Sequence, residues 1–203
     1  MLMKVIGLCG GSGSGKGIVC LIFSEHGIPS IDTDAVYHQL TSADSACTRK
    51  LAAAFGNEIL FPDGSLNRQA LASIVFSGDD SGEKRARLNE ISHKFILDEA
   101  RKRISSYENK GYSAVIVDAP LLFESGFDSE CDLLICVIAE ESVRIDRIMT
   151  RDSIDYERAM ARIASQIKDE ILKSKCDIII ENNGDISSLR ATVKAVAEQL
   201  TCK

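Results

Sequence analysis

A glycine-rich segment near the N-terminus, residues 10–16, reads Gly-Gly-Ser-Gly-Ser-Gly-Lys. Its spacing of glycine, four residues, glycine and lysine is that of a phosphate-binding loop when a strand precedes it and a helix follows it. Glycines let the backbone turn with its N–H groups pointing inward, which forms a concave nest for anionic oxygens, and the helix adds its positive end. We therefore predict a nucleoside triphosphate site, in which the lysine contacts the β- and γ-phosphates. The predicted ligands in the loop are Ser12, Gly13, Ser14, Gly15 and Lys16.

The two positions after the lysine depart from this motif. A serine or threonine hydroxyl normally follows the lysine and helps to hold Mg²⁺, whereas this chain has Gly17 and then Ile18. Both residues are predicted to lie in the ATP site. Magnesium retains several waters and can be held through them and through the nucleotide, so we expect Mg²⁺ with ATP as the cofactor. A non-catalytic nucleotide-binding protein that lost turnover with this change is the alternative.

Aspartates follow two of the apolar segments. Asp118 directly follows the segment 114–117, where a carboxylate beside the loop can hold Mg²⁺ through water. Asp32 and Asp34 follow the segment 28–31, and in an open α/β sheet ligands bind outside the carboxyl ends of the strands. We predict Asp34 as the general base that accepts a proton from an acceptor hydroxyl, with Asp32 in support. The alternative for this pair is a helix N-cap.

A charged segment, residues 144–175, carries several arginines. Arg147 and Arg151 are four residues apart on a predicted helix and share one face. Phosphoryl transfer needs positive charge over the migrating group, and a guanidinium matches its oxygens. This favours a lid with arginines over the triphosphate. Ion pairs with neighbouring aspartates are the alternative, but exposed pairs contribute only about 0–1 kcal/mol.

Five apolar segments must position these residues. They are continuous rather than alternating, and helical patterns separate them, which is typical of a parallel sheet covered on both faces. The segments are residues 4–9, 28–31, 114–117, 132–139 and 177–180. The predicted class is α/β with a five-stranded parallel sheet. We expect one domain, residues 1–203, with a helical substrate-binding insertion at about residues 35–110 and the lid at residues 144–175.

Composition limits the partners. The formal net charge of −6 argues against nucleic acid, which requires a basic face. No apolar run reaches the roughly 18 residues that span a bilayer, and the N-terminal segment is too short for a signal peptide, so we expect no membrane contact and a cytoplasmic protein. No obligate protein partner is evident. The seven cysteines have irregular spacings without a Cys-x-x-Cys pair, which predicts reduced thiols and no metal or redox site.

These segments together resemble the dephospho-coenzyme A kinase family, in order and over nearly the whole chain. The matching residues are 10–16, 31–34, 63–68, 92–93, 117–124, 147–152 and 180–184. The segments Asp-Gly-x-Leu-x-Arg and Pro-Leu-Leu-Phe-Glu are more specific than the loop, which many families share. Three positions differ from the family: Gly17 and Ile18 stand in place of Ser-Thr, and Lys94 stands in place of the proline after His93.

The resemblance implies a three-layer P-loop fold with a helical substrate domain and a lid, and phosphorylation by ATP of the ribose 3′-hydroxyl of dephospho-coenzyme A. It implies that Lys16 clamps the phosphates, that Asp34 is the general base and that Arg147 is the lid arginine over the transferring phosphoryl group. Its implied ligands elsewhere are Asn182 and Arg151 for ATP, and Asp32, Arg68, His93 and Leu121 for the second substrate. The enzymatic alternative, suggested by Gly-Lys-Gly, is a nucleoside monophosphate kinase.

Overall fold

The computed structural model describes residues 3–201, and the chain divides into two compact units. The first unit contains the chain up to Asp32 and from Ile104 onward, and the second is Thr33–Arg103. The strands are β1 (Lys4–Cys9), β2 (Ser30–Asp32), β3 (Ala114–Asp118), β4 (Leu133–Ile138) and β5 (Ile178–Glu181). The helices are α1 (Lys16–Glu25), α2 (Thr33–Leu40), α3 (Ala46–Phe55), α4 (Arg68–Val75), α5 (Ser81–Asn109), α6 (Glu141–Asp152), α7 (Tyr156–Ala164), α8 (Asp169–Lys175) and α9 (Ile186–Thr201). Short 3₁₀ turns lie at Asn57–Ile59 and Phe127–Glu130.

The first unit is built on one sheet in the order β2-β3-β1-β4-β5, and every neighbouring pair of strands is parallel. This confirms the predicted α/β class and its five-stranded parallel sheet. Strand β1 lies at the centre, and side chains of α1 and α9 pack in the same buried cluster as the strands. Because both faces are covered, β3 is buried from Ala114 to Val117, which explains why the strands lack polar alternation.

The charged segment after β4 folds as α6, α7 and α8, which belong to the first unit. A small apolar cluster, with Ile145, Ile148 and Ala159 at its centre, joins α6 to α7. The polar faces of α6 therefore remain available for contacts with the loop. Whether this segment acts as a lid stays a prediction.

The second unit contains α2, α3, α4 and most of α5, packed around a separate core. Its helix starts are encoded locally: Ser45 and Thr48 form a reciprocal capping box at α3, and the Asn67 side chain accepts from Ala70 N at α4. Helix α5 runs unbroken through Lys94 and buries Ile91 and Ala100. The role of this unit in substrate binding stays a prediction.

No helix within residues 3–201 combines the length and the apolarity that a membrane span needs.

Candidate active site

The glycine-rich loop joins the central strand β1 to α1. Gly10 has a φ of 147°, and a Cβ there would lie 2.3 Å from the Val137 carbonyl oxygen in β4. Gly13 has a φ of 79°, and a Cβ there would lie 2.6 Å from the Arg144 carbonyl oxygen in α6. Glycine is therefore required at both positions, for the backbone conformation and for the close approach of the loop to β4 and α6.

Lys16 is the first residue of α1, and its amine reaches back across the loop. Its Nζ donates to the Gly10 carbonyl oxygen at 3.0 Å and lies 4.0 Å from Asp118 Oδ1. Both side chains are largely buried, with 16% of each exposed. The positive charge thus lies at the carboxyl end of the sheet, between the start of the loop and the carboxylate that ends β3.

Two carboxylates adjoin one another at this edge. Asp118 ends β3 and Asp32 ends β2, and the two residues are direct partners in the parallel register. Hard oxygen donors of this kind are what Mg²⁺ prefers, and it commonly binds through one or two carboxylates while it keeps its waters. The donors at the strand ends therefore fit a magnesium ion.

Gly17 has open space around it. It is exposed on the first turn of α1, and a Cβ at this position would have no atom within 4 Å beyond its own chain neighbours and helix backbone. The absence of a hydroxyl here is therefore not imposed by packing. Ile18, the next residue, is also exposed.

Arg147 and Asn182 hold the second half of the loop. Asn182 follows β5 and is buried, and its Nδ2 donates to the Ser14 carbonyl oxygen at 2.8 Å. Arg147, from α6, donates through Nη1 to the Gly13 carbonyl oxygen at 3.2 Å and through Nη2 to the Asn182 carbonyl oxygen at 3.1 Å. The guanidinium therefore joins the loop to the end of β5. The roles of Arg147 at the transferring phosphoryl group and of Asn182 in ATP binding remain predictions.

Arg151 lies one turn further along α6 and is more exposed. Its Nη2 donates to Ser12 Oγ at 3.3 Å, but its main partner is Asp152, through Nε at 2.7 Å and Nη2 at 2.8 Å. Arg162 also donates to Asp152. The hydrogen bond from Arg151, followed by that from Arg162, lowers the pKa of Asp152 to about 2. Arg151 thus forms mainly the ion pair that was considered as the alternative. Its hydrogen bond to Ser12 still places it beside the loop of the candidate ATP site.

Two residues at the site carry contacts that the sequence did not assign. Arg144 is buried and donates through Nε to the Ser12 carbonyl oxygen at 2.9 Å and through Nη2 to Gln166 Oε1 at 2.9 Å. Gln166 Oε1 also accepts from Ser12 N at 2.9 Å, and Arg144 Nη1 lies 3.2 Å from Asp169 Oδ1. Together they hold the first half of the loop. The i, i+3 spacing from Arg147 could have identified Arg144 as a second contact to the loop. No local feature of the sequence marks Gln166.

Three predicted residues lie in the second unit. Asp34 is exposed in the first turn of α2, which begins at Thr33. Its backbone is therefore helical rather than extended. Arg68 begins α4 and donates through Nη2 to Thr41 Oγ1 at 2.9 Å, and His93 is half-buried on α5. Their predicted roles stay predictions.

Leu121 belongs to the first unit, where it lies in the turn after β3 with 42% of its surface exposed. An exposed leucine at the carboxyl end of the sheet has the position expected of a substrate contact. Its contact with the substrate remains a prediction.

The parallel sheet and the phosphate-binding loop between β1 and α1 define a P-loop kinase fold. The family model described as dephospho-CoA kinase matches residues 4–188, and the chain belongs to the dephospho-CoA kinase family. The dephospho-CoA kinase of Corynebacterium efficiens is 40% identical over 200 residues, which cover 98% of each chain. That of Bacillus thuringiensis is 36% identical over 195 residues, 96% of each chain.

The structure is also similar to a solved one. The dephospho-CoA kinase from Campylobacter jejuni superposes with a TM-score of 0.71 at 25% identity, and the match covers 97% of this chain and 96% of that one. The family resemblance and the prediction of an ATP-dependent kinase, a transferase, are confirmed.

Proposed function

We propose that this chain transfers the γ-phosphoryl group of ATP to the ribose 3′-hydroxyl of dephospho-CoA, the last step of coenzyme A biosynthesis. The observation that carries the proposal is the family match over residues 4–188, which includes the complete loop and the residues that hold it. The arginines and amides around the loop support it, because they fix the backbone that must receive the phosphates.

The loop binds the triphosphate through inward backbone N–H groups and the N-terminus of α1. Lys16, already between Gly10 and Asp118, neutralises charge on the β- and γ-phosphates. Transfer is direct and in line, so positioning and electrostatics supply most of the catalysis. Asp34 accepts the proton of the acceptor hydroxyl, and Arg147 adds positive charge at the transferring group.

Magnesium would be held by Asp118 through water, with Asp32 beside it, and would neutralise charge on the phosphate oxygens. Because Gly17 contributes no hydroxyl, the bound ion would depend on these two carboxylates and on the nucleotide. On the second-substrate side, Arg68 and His93 contact dephospho-CoA. Closure of the segment 144–175 excludes water, which otherwise competes as the acceptor.

The experiment measures ADP release in a coupled assay with dephospho-CoA, with AMP, and with no acceptor. Release that depends on dephospho-CoA, accompanied by formation of coenzyme A, supports the proposal. Dependence on AMP instead identifies a nucleoside monophosphate kinase, and ATP binding without transfer to either acceptor identifies a non-catalytic relative. The control is Lys16→Ala, whose loss of activity excludes a contaminating kinase.

A further inference from the structure

Three cysteine thiols meet at one place in the first unit. Cys9 ends β1, Cys136 lies within β4, and Cys176 lies between α8 and β5. Cys9 and Cys136 are direct partners in the parallel register, so their side chains leave the sheet on the same face. All three Sγ atoms lie within 4.8 Å of one another, and those of Cys9 and Cys176 are 3.4 Å apart.

These separations are close to those that a shared metal ion requires. A metal–thiolate bond of about 2.3 Å in a trigonal arrangement places the sulfurs about 4 Å apart. The side chains therefore need only small shifts to point three sulfurs at one centre. Two of the ligands lie on neighbouring strands of the central sheet, so the backbone that carries them is already rigid.

The donor set selects the ion. All three ligands are sulfur, and within residues 3–201 no histidine, carboxylate or further cysteine joins the group. Soft thiolates favour Cu(I) and zinc, and structural zinc sites are almost always four-coordinate. Cys9 and Cys136 are buried, which disfavours a water as the fourth ligand. We propose that Cys9, Cys136 and Cys176 form a three-thiolate binding site for a monovalent thiophilic cation, Cu(I).

Binding of the ion requires all three sulfurs as thiolates. Hydrogen bonds from the thiols of Cys136 and Cys9 lower the pKa of Cys176, because two S–H donors stabilise its thiolate. The same hydrogen-bonded cluster, together with burial, raises the pKa of Cys9 and Cys136. Cys9 and Cys136 therefore bind the ion only by releasing their protons to solvent, and no electron is transferred.

The site adjoins the nucleotide loop, since Cys9 precedes Gly10 directly. It is nevertheless separate from the chemistry of the kinase, because none of the three sulfurs has a proposed role in binding ATP, magnesium or the acceptor. Binding of Cu(I) can therefore be measured without turnover, and the result is independent of the proposed kinase function.

The test titrates the reduced full-length chain with Cu(I) under anaerobic conditions, using bicinchoninate as a chromophoric competitor. We expect one Cu(I) per chain, at least tenfold weaker binding in Cys176→Ser, and unchanged binding in Cys131→Ser. Cys131 is the matched control because it is also half-buried, and its Sγ donates to the Phe127 carbonyl oxygen at 3.4 Å, away from the group. Circular dichroism establishes that both variants are folded.

A second measurement needs no variant. Copper-edge X-ray absorption of the wild-type complex should show three sulfur ligands at one distance and no nitrogen or oxygen ligand. Equal Cu(I) affinity in wild type and Cys176→Ser, two-sulfur coordination, or Zn(II) that displaces Cu(I) at equal concentration would each overturn the proposal. Formation of a disulfide on exposure to peroxide, without stoichiometric Cu(I) binding, would overturn it as well.

Discussion

Gly17→Ser tests whether the missing hydroxyl limits magnesium binding. Gly17 is exposed on the first turn of α1, and an added Cβ meets no atom within 4 Å, so the substitution introduces no clash. Its backbone is helical, which a serine adopts without strain. The change therefore adds one possible oxygen ligand at the position where the motif normally has a serine or threonine, and it leaves the rest of the loop intact.

The substitution should change both the stability of α1 and the affinity for magnesium, and the two changes have different magnitudes. Replacing a helical glycine contributes about 1 kcal/mol of stability with alanine and about 0.5 kcal/mol with serine. For a chain of this size, these gains raise Tm by about 3 °C and about 1–2 °C, respectively. A hydroxyl that contacts the metal contributes about 1.5 kcal/mol more, which is about tenfold in the magnesium concentration for half-maximal rate.

The assay measures ADP release with dephospho-CoA as magnesium is varied, for wild type, Gly17→Ser and Gly17→Ala. We expect the serine variant alone to need about tenfold less magnesium, while both variants gain thermal stability. If serine and alanine give the same magnesium dependence, the hydroxyl does not reach the metal and the reasoning is refuted.

Three further substitutions test separate parts of the site. Asp34→Asn should lower turnover at least about 100-fold with unchanged ATP affinity by calorimetry, because it removes the proposed base; unchanged turnover excludes Asp34 from the mechanism. Arg147→Lys keeps the charge but cannot bridge the loop and the end of β5, so ATP affinity should fall about tenfold. Equal ATP affinity in wild type and variant would show that this bridge does not support ATP binding. Arg144→Ala should lower the free energy of unfolding by about 3 kcal/mol, because it breaks a buried pair and leaves loop acceptors unpaired. Denaturant unfolding of the exposed control Arg158→Ala should show a loss below about 1 kcal/mol, and equal losses contradict the burial argument.

The strands were predictable because a sheet covered on both faces leaves long apolar runs in the sequence. The other four strands agree with the predicted segments to within one residue at each end, whereas β2 was expected at residues 28–31 and is Ser30–Asp32. Pro29 explains the difference, since proline has no N–H to donate to the ladder. Its carbonyl oxygen still accepts from Ile116 N at 2.9 Å.

The phosphate-binding loop was predictable because its conformation is encoded in consecutive residues. Arg144 and Gln166 could not be assigned in the same way, since their contacts with Ser12 join parts of the chain that are distant in sequence. Only the packing of α6 and the α7–α8 turn against the loop brings them there. A local motif thus specifies the loop that receives the phosphates, but not the side chains that hold it in place.

The clustering of Cys9, Cys136 and Cys176 could not be predicted from the sequence either, for a different reason. Rules for metal sites depend on short spacings such as Cys-x-x-Cys, which place two ligands in one turn. Here the three thiols come from β1, β4 and the segment between α8 and β5, and they converge because β1, β4 and β5 are neighbours in the sheet with a fixed register. Spacing along the chain therefore could not predict that these thiols lie together. The same strand, β1, ends in Cys9 and continues into the loop, so the topology that builds the nucleotide site also assembles the thiols beside it.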